Sequence, residues 1–206
     1  VQNLEARPRS GPLYLALDTE SRAGNGGNTV ALKLFAASPP WDSEEMLRYR
    51  RVLEALSGSA VPGLLLPLET DRFEGRCYQV LPHLAAPNLT AWLGGTPMPP
   101  ELAGALLLSL ARSLALLHAA LPGEGLWHGR LTPANLLMQP TDRGVLPCLT
   151  DPARRLLESA GAASAQEAAF LAPEQMPGYG EAPDARADQY GLGMLAVLAL
   201  TGQPAF

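Results

Sequence analysis

The chain has 206 residues, of which 47% are apolar and 17% charged, enough to pack a core in one large domain or two small lobes. The 15 basic and 20 acidic residues leave a net charge of −5, which supplies no basic face and argues against nucleic acid as a partner. Cys77 and Cys148 stand far apart without metal-ligand or Cys-x-x-Cys spacing and read as core thiols of a reducing compartment.

In chain order, Leu13, Leu15 and Leu17 alternate with Tyr14, Ala16 and Asp18, the period of a strand. A polar, Gly/Asn-rich stretch over 22–28 reads as a loop, and 30–35 as a second strand that closes a hairpin. Beyond Pro39 and Pro40, the run Trp41, Asp42, Ser43, Glu44 and Glu45 marks a helix start, and Gly58 marks its stop. Met46, Leu47, Leu53 and Leu56 supply its apolar spacing. Two more strands are expected over 63–68 and 76–84, flanking a polar turn over 70–75.

From Glu101 the pattern changes. A long apolar helix opens at Pro99 and Pro100 and runs to about Ala120, followed by a loop region through about 153. Residues 154–185 are rich in Ala, Pro and Gly and show little periodicity. A last helix is expected from about Ala187 to Thr201, stopped by Gly202 and Pro204. The most apolar stretches are 102–121 and 190–201. Arg112 and His118 interrupt the first, and the second is too short for a bilayer, so both suit buried helices. The expected plan is α+β, with residues 1–84 as a small sheet-and-helix lobe plus hinge and 85–206 as a mainly helical lobe.

Five groups of residues fall in a telling order. Lys33 lies on the strand beginning Val30 and Ala31. His128, Gly129, Arg130, Leu131, Thr132, Pro133, Ala134 and Asn135 follow the long helix. Thr150 and Asp151 come next, then Ala172, Pro173 and Glu174, and Asp188 opens the last helix. Each group alone is weak. In this order, over essentially the whole chain, they resemble the signature set of protein kinases, and most of all bacterial serine/threonine kinases.

The resemblance implies a bilobal protein-kinase-like fold, cut short after the helix at 187–201, and it assigns roles. Lys33 would hold nucleotide phosphates, while Asn135 and Asp151 would be the metal-ligand positions for Mg²⁺ bound with ATP. Leu81, Pro82 and Leu84 form the hinge that reads adenine. His128, Glu174 and Asp188 are architectural, with Asp188 accepting hydrogen bonds from the catalytic-loop backbone. The Glu that pairs with the strand lysine in the family falls on Tyr49 here, and Glu45, one turn earlier, is the candidate substitute.

The departures decide the functional expectation. Of the three glycines in the nucleotide-covering loop, at positions 6, 8 and 11, only Gly11 is present; Ala6 and Pro8 hold the others, and proline offers no amide. Arg130 occupies the place of the catalytic Asp, and a permanently protonated guanidinium cannot act as a base. Thr132 replaces the nearby Lys, Gly129 the Arg that would meet an activating phosphate, and Pro152 and Ala153 replace the Phe-Gly pair after Asp151. The segment 154–174 holds Ser159 and Ser164 but no threonine.

The expectation is a catalytically inactive pseudokinase domain, a scaffold or allosteric protein-binding module of bacterial signalling. Its partner would be an active kinase or another domain of the same polypeptide. Its place would be the cytoplasm, alone or as the cytoplasmic part of a membrane-anchored protein, and Val1 in place of Met reads as a piece of a longer chain. No cofactor is required by this reading. The retained Lys33, Asn135 and Asp151 leave ATP and Mg²⁺ binding open, and with it two alternatives: a kinase-fold enzyme of altered chemistry such as nucleotidyl transfer, and an ATP-sensing switch.

Overall fold

A strand needs partners before it needs a hydrophobic face, and the N-terminal half is organised by its pairings. The computed structural model describes residues 2–7, 11–18, 28–35, 39–58, 61–123, 126–142, 144–153, 156, 164–178 and 182–206. Five strands, β1 (Gln2–Arg7), β2 (Gly11–Asp18), β3 (Asn28–Leu34), β4 (Glu69–Phe73) and β5 (Arg76–Pro82), form an antiparallel sheet in the order β1-β2-β3-β5-β4. The expected hairpin is β2 and β3, in the register Leu13↔Lys33 to Asp18↔Asn28; most of its loop lies outside the described residues. Ala6 lies on β1, paired with Pro12, and Gly11 lies on β2, paired with Arg7; Pro8 is outside the described residues.

Two expectations about this sheet are corrected. The run 63–68 is not a strand, and the supposed polar turn 70–75 is mostly strand β4, with the turn confined to Glu74 and Gly75. Strand β4 is a sheet edge with four of its five residues exposed, so it carries no apolar alternation for a sequence reading to detect. The apolar run before it crosses to the other lobe instead. Leu65 N–H donates to Leu149 O and Leu149 N–H to Gly63 O, both at 2.8 Å.

Helix α1 (Glu44–Ser57) begins where its caps predict. Ser43 Oγ accepts from Met46 N–H, acids fill the first turn, and Gly58 N–H bonds back to Glu54 O. Its buried face is Met46, Tyr49, Val52 and Leu56, whereas Leu47 is exposed, because spacings of three and four residues select 49 and 52 rather than 47. This face joins Phe35 and Cys77 of the sheet and Leu117, Leu126, Ala153 and Leu156 of the second lobe in one cluster. The helix is therefore held from both sides.

The second lobe is built on α3 (Pro100–Ala119) and α5 (Arg186–Thr201), with short α2 (Leu89–Leu93) and α4 (Ala165–Ala168) beside them. Helix α3 is long and apolar enough to cross a bilayer by length and composition. Its Ala103, Leu106, Leu110 and Leu114, however, belong to the core shared with Leu195 and Leu198 of α5. The region expected to be loop through 153 holds a hairpin of β6 (Leu136–Thr141) and β7 (Gly144–Leu149). Pro140 and Pro147 conceal it in the sequence, since proline removes a ladder donor and is tolerated in a two-stranded ribbon where one side needs none. Among the described residues of 154–185, Ser164 caps α4, and a 3₁₀ turn covers Pro173–Gln175.

Candidate functional site

A cleft of about 420 Å³ opens between the lobes. Leu13 of β2 and Ala31 and Lys33 of β3 line it from the sheet side, and Ala134, Leu137 and Asp151 from the other. The hinge residues Leu81, Pro82, His83 and Leu84 line it between the two. The sequence-predicted Lys33, Leu81, Pro82, Leu84 and Asp151 thus share one cavity.

Within it, Lys33 Nζ lies 2.7 Å from Asp151 Oδ2. Both residues are buried (6% and 8% exposed), so this is a desolvated ion pair. Lys33 Nζ also stands 5.1 Å from the centre of the Phe35 ring. Asp151 has a φ of 61°, a left-handed conformation that costs a non-glycine residue energy and persists only where its surroundings enforce it.

The Lys33 cation is therefore met by Asp151 and not by Glu45, which is exposed in the first turn of α1. Tyr49 fills the inner face of that helix, and its hydroxyl accepts from Gln79 Nε2. Burial, reinforced by the nearby Asp151 charge, pushes the Tyr49 phenol far above its ordinary pKa. A neutral hydroxyl thus stands where the family resemblance puts a carboxylate.

The loop 128–135 is fixed largely by side chains that bond its backbone. His128 is completely buried, and its Nε2 lies 2.8 Å from the Thr150 carbonyl. A carbonyl only accepts, so the ring proton sits on Nε2, and Nδ1 accepts from Arg130 N–H. Asp188, 1% exposed, receives His128 N–H at 2.7 Å and Gly129 N–H at 2.8 Å, and His118 Nε2 lies 2.8 Å from its carboxylate. Burial alone would raise the Asp188 pKa, but the hydrogen bonds from His118 and the two amides help to outweigh it and lower it.

Gly129 has a φ of 78°, and a Cβ there would come within 2.8 Å of the Trp127 ring. The arginine that the resemblance would place at 129 therefore has no room. Gly191 of α5 likewise lets Leu131 approach, since an added Cβ would meet the Leu131 Cβ at 2.9 Å.

Arg130 turns toward the segment that follows. Its Nη1 lies 3.3 Å from Glu167 Oε1, and Glu167 also closes the capping box of α4 with Ser164. Asn135 donates its Nδ2 to Arg130 O at 3.0 Å. Thr132 is 1% exposed, and its Oγ1 finds no hydrogen-bond partner among the described residues. Glu174 makes no ion pair among the described residues. Its neighbour Gln175 makes the tie, donating Nε2 to Gly129 O at 2.6 Å and accepting from Ala172 N–H. His118, Gln79 and Gln175 were not singled out from sequence; each carries its meaning only through a partner far along the chain.

A five-stranded sheet with one helix, a mainly helical second lobe and a cleft lined by a lysine–aspartate pair define a bilobal protein-kinase-like domain. The phosphotransferase enzyme (APH) family matches residues 14–183, and the chain belongs to that family. It is 31% identical over 201 residues to the serine/threonine-protein kinase PkaA of Streptomyces coelicolor, covering 89% of this chain and 34% of that protein. It is also 31% identical over 195 residues to the DNA damage-responsive serine/threonine-protein kinase RqkA of Deinococcus radiodurans, covering 90% of this chain and 28% of that protein. The chain thus spans about a third of the length of these relatives. The crystal structure of the PknI kinase domain of Mycobacterium tuberculosis superposes with a TM-score of 0.72 at 22% identity, covering 100% of this chain and 73% of that one.

Proposed function

We propose that this is a catalytically inactive protein-kinase-like domain serving as a protein-binding scaffold or allosteric module in bacterial signalling. One observation carries the reading. The residue at the base position is Arg130, and its guanidinium is held against Glu167 at 3.3 Å. A permanent cation cannot accept a hydroxyl proton. Tyr49 in place of the α1 carboxylate, Gly129 in a space closed to larger residues and the unpartnered Thr132 support it. On this reading the partner is an active kinase or another domain of the same polypeptide, in the cytoplasm.

Incubation with labelled ATP, Mg²⁺ or Mn²⁺ and a generic protein substrate tests the proposal. No label transfer is expected; transfer that Lys33→Ala or Asp151→Ala abolishes would falsify it. The intact Lys33–Asp151 pair favours one other reading, a kinase-fold enzyme that moves a nucleotidyl group. Intact-mass spectrometry of candidate acceptors checks that reading through the mass of a nucleotidyl adduct.

A further inference from the structure

Two guanidinium groups of the first lobe meet on one aromatic ring, away from the cleft. Arg50 of α1 and Arg72 of β4 lie on different elements, yet their Cζ atoms stand 5.3 and 6.0 Å from the centre of the Trp41 ring. Trp41 is partly buried and packs against the core under α1, whereas both arginines are exposed. None of the three lines the cleft.

A guanidinium that rests on an aromatic face keeps its N–H fork for another acceptor. Neither arginine forms an ion pair among the described residues, although Asp42 adjoins Trp41 and Glu54 lies one turn after Arg50. The ring restrains two long side chains in advance, which lowers the ordering cost that an incoming anion has to overcome. Leu47, 49% exposed and one turn before Arg50, offers an apolar contact beside them.

Charge decides the kind of anion. Two positive groups match a phosphate monoester, which carries about −1.5 to −2 near neutral pH and accepts bidentate N–H bonds. A single carboxylate matches only one of them. The adjoining edge strand is partly blocked to strand addition, because the Arg72 N–H is taken by Asp71 Oδ1 at 2.8 Å. Recognition at this place therefore falls to side chains.

We propose that Arg50, Trp41 and Arg72 form a docking site for a phosphoserine- or phosphothreonine-bearing segment of a partner protein. The proposal rests on the reading of the chain as a protein-binding module and deepens it by naming the chemistry of the partner.

Retention of degenerate peptide pools on the immobilised chain tests it, with pools centred on phosphoserine, on serine and on glutamate. The phosphoserine pool is expected to be retained saturably and about tenfold more than either of the others. Arg50→Gln and Arg72→Gln should each weaken that retention by about tenfold, and the double variant should abolish it. Both arginines are exposed, so the variants keep the fold, which circular dichroism checks. Arg112→Gln, which removes the same charge from the exposed face of α3, should leave retention unchanged. Equal retention of the phosphoserine and serine pools, or of the phosphoserine and glutamate pools, would overturn the proposal. So would binding that survives the double variant, or an equal loss with Arg112→Gln. The pools are tested without ATP, so label transfer, which would sink the catalytic reading, is scored apart from failure of this site.

Discussion

Asp188 carries the most acutely testable structural claim. Its carboxylate accepts from two buried amides, His128 N–H and Gly129 N–H, and meets the ring of His118. Replacing it with Ala leaves both amides without acceptors in a site closed to water. Each such loss costs about 1–3 kcal/mol, and the void adds to it, so Asp188→Ala should lose about 3–6 kcal/mol. His118 is partly exposed and can recover its bond from water, so it adds little. A loss of that size is a large share of the stability of about 5–15 kcal/mol typical of a domain.

Urea unfolding followed by circular dichroism measures this loss. A second axis is pH. The Asp188 pKa is lowered in the folded state, so its contribution is fully present above the unfolded carboxylate value of about 3.9. It disappears as pH falls through the lower folded value. Asp188→Asn should therefore flatten the acid limb of the stability curve. A loss below about 1 kcal/mol for Asp188→Ala, or parallel acid limbs for the wild type and Asp188→Asn, would refute the argument.

Further expectations follow from the same geometry. Gly129→Ala should cost about 1–3 kcal/mol, since it places a side chain at φ 78° against the Trp127 ring; denaturant melts measure it. Lys33→Met should cost about 3–5 kcal/mol by removing a cationic partner of a buried carboxylate, and adding Asp151→Asn should return much of that loss. A double-mutant cycle on melting curves checks both. Burial and the Asp71 charge push the Cys77 thiol up to about 11, so it should stay unreactive toward a thiol reagent at neutral pH and react only as urea opens the fold.

The parts of this protein legible in its sequence are those governed by neighbours along the chain. Helix α1 was announced by Ser43, its acids and Gly58, and α5 by the glycine after Thr201, because caps and stops act within one turn. Strands β2 and β3 showed in their apolar pattern. The order of the motifs from Lys33 to Asp188 carried the kinase-like plan.

Strands β1 and β4, at the two edges of the sheet, did not show, because an edge strand needs backbone partners and no apolar face. The β6–β7 hairpin was hidden by its own prolines. The sequence by itself determined that position 130 carries a permanent cation, since residue type alone settles whether a side chain can accept a proton. Only the tertiary structure decided that Lys33 meets Asp151 and not Glu45, that Tyr49 answers Gln79, that Gly129 has no space for a side chain, and that Arg130 rests on Glu167. These partners lie on different elements, and the strength of a buried polar contact depends on distance and desolvation, which exist only once the chain has packed.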